Sequence, residues 1–489
     1  MKRLPRLLVL FLVTGTAWLR AAVEHPNIIF ILADDLGYGD LGCYGQKIIQ
    51  TPRLDRMAAE GLRFTQFYAG ATVCAPSRSV LMTGQHGGRT RVRGNGPGVT
   101  GRGQELRADD VTVAEVMREA GYATALIGKW GLGGHDTPGG PRRQGFDFFY
   151  GYTDQVHAHN HYPDFLWRNE VREELPNDRV PVGQGVGAGY STNRVAYAGD
   201  RFAEEAVHYV EARAGGPPFF LYLSLVVPHA NNERTWALDD GAEVPDYGPY
   251  ADREWSSATK GYAAMITRMD AQIGRLLDHL KDRGLDERTI VFFTSDNGPH
   301  REAGHDPNLF NSSGPFRGIK RDLTEGGLRV PFIARWPGRI PAGTTSGHPG
   351  SSADFLATAA ALAGFDPPTR LDSISLVPVL TGREKDQPRH DVLYWEFHER
   401  AFDQAILIDG RWKAIRRPVI PGRKAAAATR ALADEASTRD GLIELYDLAD
   451  DPGETRNRAG EQPDRVARAE ALFRSARSPS EDWPGSPRP

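Results

Sequence analysis

His25-Pro26-Asn27-Ile28-Ile29-Phe30-Ile31-Leu32-Ala33-Asp34-Asp35 holds an unbroken apolar run that ends on two aspartates. An apolar run without polar alternation belongs to a strand covered on both faces, as in parallel sheets packed between helices. The sequence downstream agrees. Pro52 to Glu60 has helical spacing, with Leu54, Met57 and Ala58 on one side and Gly61 as a stop. Helix and strand patterns then recur at Val111–Ala120 with Ala123–Ile127, Phe202–Ala212 with Phe219–Leu225, and Tyr262–Asp282 with Thr289–Thr294. This alternation predicts an α/β fold with a large, mostly parallel sheet flanked by helices. Such sheets bind ligands in the loops beyond the carboxyl ends of their strands.

The pattern changes after the helical stretch Asp354–Ala363, where Gly364-Phe365-Asp366-Pro367-Pro368 sets a boundary near residues 365–372. We therefore expect a main domain over residues 26–370 and a subdomain over 371–477. In the latter, Val392–Phe397, Gln404–Ile408 and Trp412–Ile415 read as strands, with Asp409-Gly410 as a hairpin turn, and a helix follows around Asp464–Arg477. That makes a smaller C-terminal antiparallel sheet plus helix. Ala425–Ser437 reads as a helical, Ala-rich insertion without catalytic use, and residues 478–489 as a disordered Pro/Ser-rich tail.

Composition narrows the function. Hydrophobic residues make up 40% and charged residues 25% of the 489, as in an ordinary soluble globular protein. Lys+Arg total 59 against 63 Asp+Glu, so no basic excess points to nucleic acid as a partner. Lys2, Arg3 and Arg6 precede an apolar run from Leu7 to Leu19 and the small residues Ala21-Ala22. This reads as a signal peptide over residues 1–22, which implies export to the periplasm or the medium. The run is shorter than the ~20 residues of a membrane-spanning helix, so no stable membrane anchor is expected.

Polar clusters follow three strands: Asp34-Asp35, Pro228-His229 and Ser295-Asp296-Asn297-Gly298. Adjacent carboxylates repel and lose hydration when buried, so a pair at a strand end calls for a cation unless it caps the next turn. Asp34, Asp35, Asp296 and Asn297 would offer oxygen alone, which suits Ca²⁺ or Mg²⁺ rather than zinc.

Cys74-Ala75-Pro76-Ser77-Arg78 is followed by the helix-like Ser79-Val80-Leu81-Met82-Thr83-Gly84. By itself it could be a loop with a free thiol or a Cys43–Cys74 disulfide. Cys-x-Pro-Ser-Arg, however, resembles the core motif of the type I sulfatases. Pro26 to Asp35, Gly128-Lys129-Trp130, Pro228-His229, Ser295 to Gly298, Gly318-Ile319-Lys320 and Leu445-Tyr446-Asp447-Leu448 with Asp451-Pro452-Gly453-Glu454 and Asn457 follow that family's order. The likeness covers roughly residues 26–460 and makes 26–370 the expected catalytic domain, with an alkaline phosphatase-like fold.

The resemblance implies a mechanism and its residues. Cys74 would be oxidised to Cα-formylglycine by a maturation enzyme. The hydrated aldehyde offers one hydroxyl to attack the sulfur of a sulfate monoester and a second to expel the sulfate afterwards. By similarity Asp34, Asp35, Asp296 and Asn297, with modified Cys74, hold one Ca²⁺ per chain, which lowers the pKa of the attacking hydroxyl. Arg78, four residues after Cys74, shares its face if a helix starts there, and would stabilise the hydrated aldehyde. Lys129 and Lys320 would grip the sulfate oxygens, and His229 would contact the sulfate or the bridging oxygen.

One departure is visible. Many sulfatases read Gly-Lys-Trp-His-Leu-Gly, whereas this chain has Gly128-Lys129-Trp130-Gly131-Leu132-Gly133. His135 is a candidate substitute for the missing histidine. A second cluster, Gln155 to Asp164, places His157, His159 and His161 at alternate positions. In an extended segment these would share a face suited to zinc, or, with Trp167 and Arg168, to a sugar. The loop resembles exported bacterial sulfatases acting on sulfated galactose or N-acetylgalactosamine. A sulfated carbohydrate is therefore the expected substrate, with exo removal of a 4-O-sulfate as the specific expectation. Two alternatives stay open: a phosphonate or phosphate ester hydrolase of the same superfamily, and a non-catalytic Ca²⁺-dependent glycan-binding protein.

Overall fold

Every residue of the strand Asn27–Asp34 is buried, because both of its faces are covered. Ile29, Ile31 and Ala33 pack into one layer with Leu54, Met57, Phe202 and Ile266. Ile28, Phe30 and Leu32 point the other way, into a layer with Leu81, Met117, Phe355 and Leu356. Alternate residues of a strand face opposite sides, so one apolar run feeds two cores. A computed structural model of the chain describes residues 25–399, 402–417 and 442–484. The signal peptide over 1–22 and the insertion Ala425–Ser437 lie outside the described residues.

The main sheet has ten strands among the described residues. Asn27–Asp34 is central, with parallel neighbours Thr289–Ser295 and Phe219–Pro228. Ala123–Lys129 pairs parallel with Phe219–Pro228, and Phe148–Tyr152 parallel with Ala123–Lys129. Antiparallel strands Phe165–Arg168 and Val171–Glu174 extend that edge. Antiparallel Phe332–Arg335 leads to Leu62–Phe64 and Thr344–Ser346 on the other. Helices Pro52–Ala59, Ala198–Arg213 and Ser257–Asp282 cover one face, and Cys74–Thr83, Val113–Glu119 and Asp354–Leu362 the other. This is the expected α/β architecture. The helix expected from Val111 starts at Val113, because Thr112 caps it: its hydroxyl accepts from Glu115 N, and Thr112 N donates to the Glu115 carboxylate.

The C-terminal sheet is antiparallel and gains an unanticipated strand, in the order Val392–Phe397, Asp403–Ile408, Trp412–Arg417, Leu442–Asp447. One face packs under the helix Pro463–Ser475 through Ala469 and Phe473. The other packs against Tyr68, Val73, Leu323 and Leu328 of the main domain. Lys413 Nζ crosses this junction to Glu325 Oε1 at 2.8 Å and meets Glu454 Oε1 of its own subdomain at 3.3 Å, all three side chains fully buried. Of the tail expected to be disordered, residues 478–484 are described and pack through Asp482 and Trp483. Trp483 is buried and donates from Nε1 to Gly103 O at 3.3 Å, and an indole of that size supplies the anchor that the Pro/Ser-rich composition concealed.

Candidate active site

Four adjacent parallel strands deliver their carboxyl ends to one place. Thr289–Ser295 ends beside Asp296 and Asn297, Asn27–Asp34 at Asp34 and Asp35, Phe219–Pro228 before His229, and Ala123–Lys129 on Lys129. Their register aligns Ala33 with Ser295 and Ser224 with Gly128, so the polar residues just beyond are neighbours. The opposite wall is the buried helix Cys74–Thr83, which starts at Cys74 and puts Arg78 one turn along on the same side.

Cys74 Sγ lies 3.3 Å from Asp34 Oδ1 and 4.0 Å from Asp35 Oδ1. Arg78 Nη2 is 2.8 Å from Asp296 Oδ2 and 3.6 Å from Asp34 Oδ2, and Nη1 donates to Lys129 O at 3.0 Å and to Ser224 Oγ. Lys129 Nζ sits 2.7 Å from Asp34 Oδ2 and Lys320 Nζ 2.8 Å from Asp35 Oδ2. Lys320 Nζ also donates to His229 Nε2 at 3.2 Å, while His229 Nδ1 lies 2.7 Å from Ala230 O and is the protonated nitrogen. Cys74, Arg78, Lys129, His229, Lys320, Asp34, Asp35, Asp296 and Asn297 thus converge in one buried cluster.

Its electrostatics are those of carboxylates and cations packed together and buried. Burial raises the Asp34 pKa, but Lys129 and Arg78 outweigh it and hold the carboxyl well below its ordinary range. Asp296 goes the other way, pushed up to about 8 by burial and by Asp34. Burial and Lys320 hold His229 neutral. Burial opposes the charge of Lys320, but Asp35 and Glu302 keep it charged. Burial and the Asp34 charge push the Cys74 thiol well up.

The acidic side chains suit a hard cation. Asp34, Asp35 and Asp296 supply carboxylate oxygens, and Asn297 Oδ1 is buried without a hydrogen-bond partner while its Nδ2 donates to Asp35 Oδ1 at 2.7 Å. An orphaned buried acceptor beside three carboxylates, one of them raised to about 8, fits an oxygen-ligated divalent ion. Among the described residues, Asp34, Asp35, Cys74 and His229 form one group able to hold a metal, and Asp35, His300 and Glu302 another. His157, His159 and His161 do not form one. Cys43 and Cys74 are both free, so they form no disulfide.

The remaining sequence candidates separate. His157–His159 is a 3-10 helix rather than extended chain, so the three histidines do not share a face. His157 is walled in by Tyr152 and Phe165 with both ring nitrogens unpartnered, leaving no face for a sugar. His161 is buried with Nε2 on His229 O at 2.8 Å, so it supports the backbone under His229 instead of facing substrate. Arg168 is engaged by Glu173 and Glu205 and lies over the Tyr150 ring, which removes it as a substrate contact. His159 comes closest: its ring stacks on His229 at 4.9 Å and Nδ1 meets Glu233 Oε2 at 3.1 Å. His135 and Trp167 stack on each other at 4.0 Å, both partly exposed. The gap at Gly131 is filled by Gln155, whose Nε2 lies 2.2 Å from where a Cβ would stand, and not by His135.

Sequence reasoning missed Gln155, Ser224, His300 and Glu302. His300 and Glu302 follow directly on Ser295 to Gly298, and that polar run past a strand end was the available signal. No described helix is long and apolar enough to cross a membrane.

Fold and site define an α/β protein whose buried centre, beyond the carboxyl ends of four parallel strands, packs an acidic metal-type cluster against Arg78, Lys129 and Lys320. The sulfatase family model matches residues 26–365, and that of the N-sulphoglucosamine sulphohydrolase C-terminal region matches 318–415. Arylsulfatase G of Mus musculus is 36% identical over 402 residues, covering 77% of this chain and 72% of that protein. N-acetylgalactosamine-6-sulfatase of Canis lupus familiaris is 33% identical over 481 residues, covering 91% and 84%. A structure solved in work on the metabolism of multiple glycosaminoglycans by Bacteroides thetaiotaomicron superposes with a TM-score of 0.71 at 27% identity, covering 92% of this chain and 99% of that one. The chain belongs to the type I sulfatase family of the alkaline phosphatase superfamily and is a sulfuric ester hydrolase.

Proposed function

We propose that the chain is an exported, formylglycine-dependent sulfatase that removes a 4-O-sulfate from galactose or N-acetylgalactosamine at the end of a sulfated glycan. The observation that carries the nucleophile is the placement of Cys74 against Asp34 and Asp35 with its thiol pushed up by burial. A protonated thiol is a poor nucleophile. Cα-formylglycine at this position, installed by a maturation enzyme, supplies on hydration one hydroxyl to attack sulfur and another to expel sulfate. Asp34, Asp35, Asp296 and Asn297, with the modified residue 74, are our assignment for one Ca²⁺, which when bound lowers the pKa of that hydroxyl and offsets the ester's charge.

The chain's own side chains do the rest. Arg78 braces Asp296 and Asp34 from behind. Lys129 and Lys320 present cations to the sulfuryl oxygens in a site dry enough for their charge to count. A proton for the departing alcohol is stored between Lys320 Nζ and the neutral His229 Nε2. Residues 26–370 form the catalytic domain and 371–477 the C-terminal subdomain in this assignment.

The name of the Canis relative supports an N-acetylgalactosamine sulfate as the substrate class. In galactose-type sugars the 4-substituent is axial, so the wrong epimer leaves buried donors unpaired, worth about 1–3 kcal/mol each. His159 and the His135–Trp167 stack are the side chains we assign to the sugar. Two measurements test the proposal. The mass of the peptide containing Cys74 in active enzyme should be that of formylglycine; unmodified cysteine alone would refute it. Turnover across galactose sulfated singly at positions 2, 3, 4 and 6, and N-acetylgalactosamine sulfated singly at 3, 4 and 6, should favour position 4. Preference for position 6, the position in the relative's name, would overturn the regiochemistry and leave the reaction standing.

A further inference from the structure

We propose that Glu302 is a positioning residue that aims Lys320 at the sulfate, an inference that rests on the assignment of Lys320 to the sulfate oxygens. An ammonium has three N–H donors, and Lys320 has three acceptors around it. They are Asp35 Oδ2 at 2.8 Å, Glu302 Oε2 at 2.8 Å and His229 Nε2 at 3.2 Å. Asp35 is assigned to the metal and His229 to the substrate, so both have other partners in the loaded enzyme. Glu302 is the tether left over.

The backbone is bent to make this contact. Adjacent side chains of an extended chain point to opposite sides, yet Lys320 and Arg321 both reach Glu302. Arg321 achieves it at φ 75, a left-handed conformation that non-glycine residues adopt rarely and at a cost. Lys320 N donates to Pro299 O at 2.9 Å and Arg321 N to Thr72 O at 3.0 Å, which pins the turn. Arg321 is held from outside by Glu399 Oε2 at 2.9 Å. The loop carrying Glu302 is fixed in turn: Glu302 N donates to His300 Nδ1 at 3.0 Å, and His300 Nε2 meets Pro228 O at 2.9 Å, next to His229. Glu302 therefore sits in a frame built from the same strand end that carries His229, and it converts a flexible lysine into an oriented one.

The test uses the matured full chain with nitrophenyl sulfate as substrate and inorganic sulfate as competitive inhibitor. Glu302→Gln keeps the shape and removes the charge. It should lower kcat/KM roughly 10–100-fold, the usual scale for an orienting partner, raise KI for inorganic sulfate several-fold, and leave bound calcium unchanged. Glu302→Asp, which keeps the charge on a shorter arm, should recover part of the loss. A Glu302→Gln/Lys320→Ala double variant should be no worse than Lys320→Ala alone, since Glu302 acts through Lys320. Wild-type kcat/KM and KI in Glu302→Gln beside an impaired Lys320→Ala would overturn the proposal. So would multiplying losses in the double variant, or loss of calcium, which would make Glu302 a metal ligand with Asp35 and His300. If Lys320→Ala itself behaved as wild type, the assignment of Lys320 would be what failed, and the proposal with it.

Discussion

Lys129 Nζ lies 2.7 Å from Asp34 Oδ2 with both side chains fully buried. Burying two charges costs several kcal/mol per ion, which a single contact does not reliably return. The pair is therefore better understood through the cation it holds at the end of a central strand than through stability. Lys129→Ala should lower kcat on nitrophenyl sulfate about 10²–10³-fold, the cost of losing one preorganised donor. Steady-state kinetics on enzyme with confirmed residue 74 modification checks it, and a loss below tenfold would remove Lys129 from the chemistry.

Calcium removal should abolish turnover and also destabilise the fold, because the binding free energy of an ion held only by the folded chain is lost. Ligand at 100 times its Kd stabilises by about 2.7 kcal/mol, so chelation should lower Tm by a few degrees. Asp296→Ala should mimic chelation in activity, and melting scans with and without calcium should coincide for that variant. Full activity in rigorously demetallated enzyme would exclude the metal assignment.

Gly131 stands at φ 76 with Gln155 Nε2 occupying the space of a Cβ. Gly131→Ala should therefore destabilise by about 1–3 kcal/mol through strain and overpacking. Gln155→Ala in the same chain should relieve the steric part and leave the backbone part, near 1 kcal/mol. Urea unfolding of both variants measures the difference. For the same reason Gly131→His should not restore a catalytic histidine on its own.

Burial pushes the Asp40 carboxyl up from 3.8 to about 7, despite bonds from Tyr262 OH at 2.7 Å and Gly37 N at 2.8 Å to Oδ2. The unfolded chain ionises this group first, so between pH 3.8 and about 7 the folded state binds more protons. Stability from this group is thus fully present below pH 3.8 and declines up to about pH 7, with a slope of at most about 1.4 kcal/mol per pH unit. Asp40→Asn should flatten that part of the stability curve. Denaturant unfolding at intervals from pH 4 to pH 8 tests it, and an unchanged slope would show that Asp40 is ionised in the folded state.

Much of the architecture was written in local pattern. An unbroken apolar run such as Ile28 to Ala33 can satisfy itself only between two layers, and the strand ends within the Asp34-Asp35 pair. The same logic marked Asp296, Asn297 and His229 as residues beyond strand ends, and the Cys74 to Arg78 motif placed two groups one helical turn apart. The Thr112 cap shows the limit of such reasoning at element ends, where one hydroxyl moves a helix start by two residues.

By itself, then, the sequence determined the layered sheet, the strand-end acids and cations, and the family. Tertiary structure alone decided which of the remaining polar side chains face the centre. Lys320 and Asp35 are 285 positions apart, and Lys320 and Glu302 meet across two loops joined by the bond from Lys320 N to Pro299 O. The histidine cluster shows the converse: alternate spacing promised a shared face, but a short 3-10 turn sent His157 into the core, His161 under His229 and His159 to the rim. Periodicity is a local property of the backbone, whereas convergence depends on loops that are fixed only after the two cores have packed.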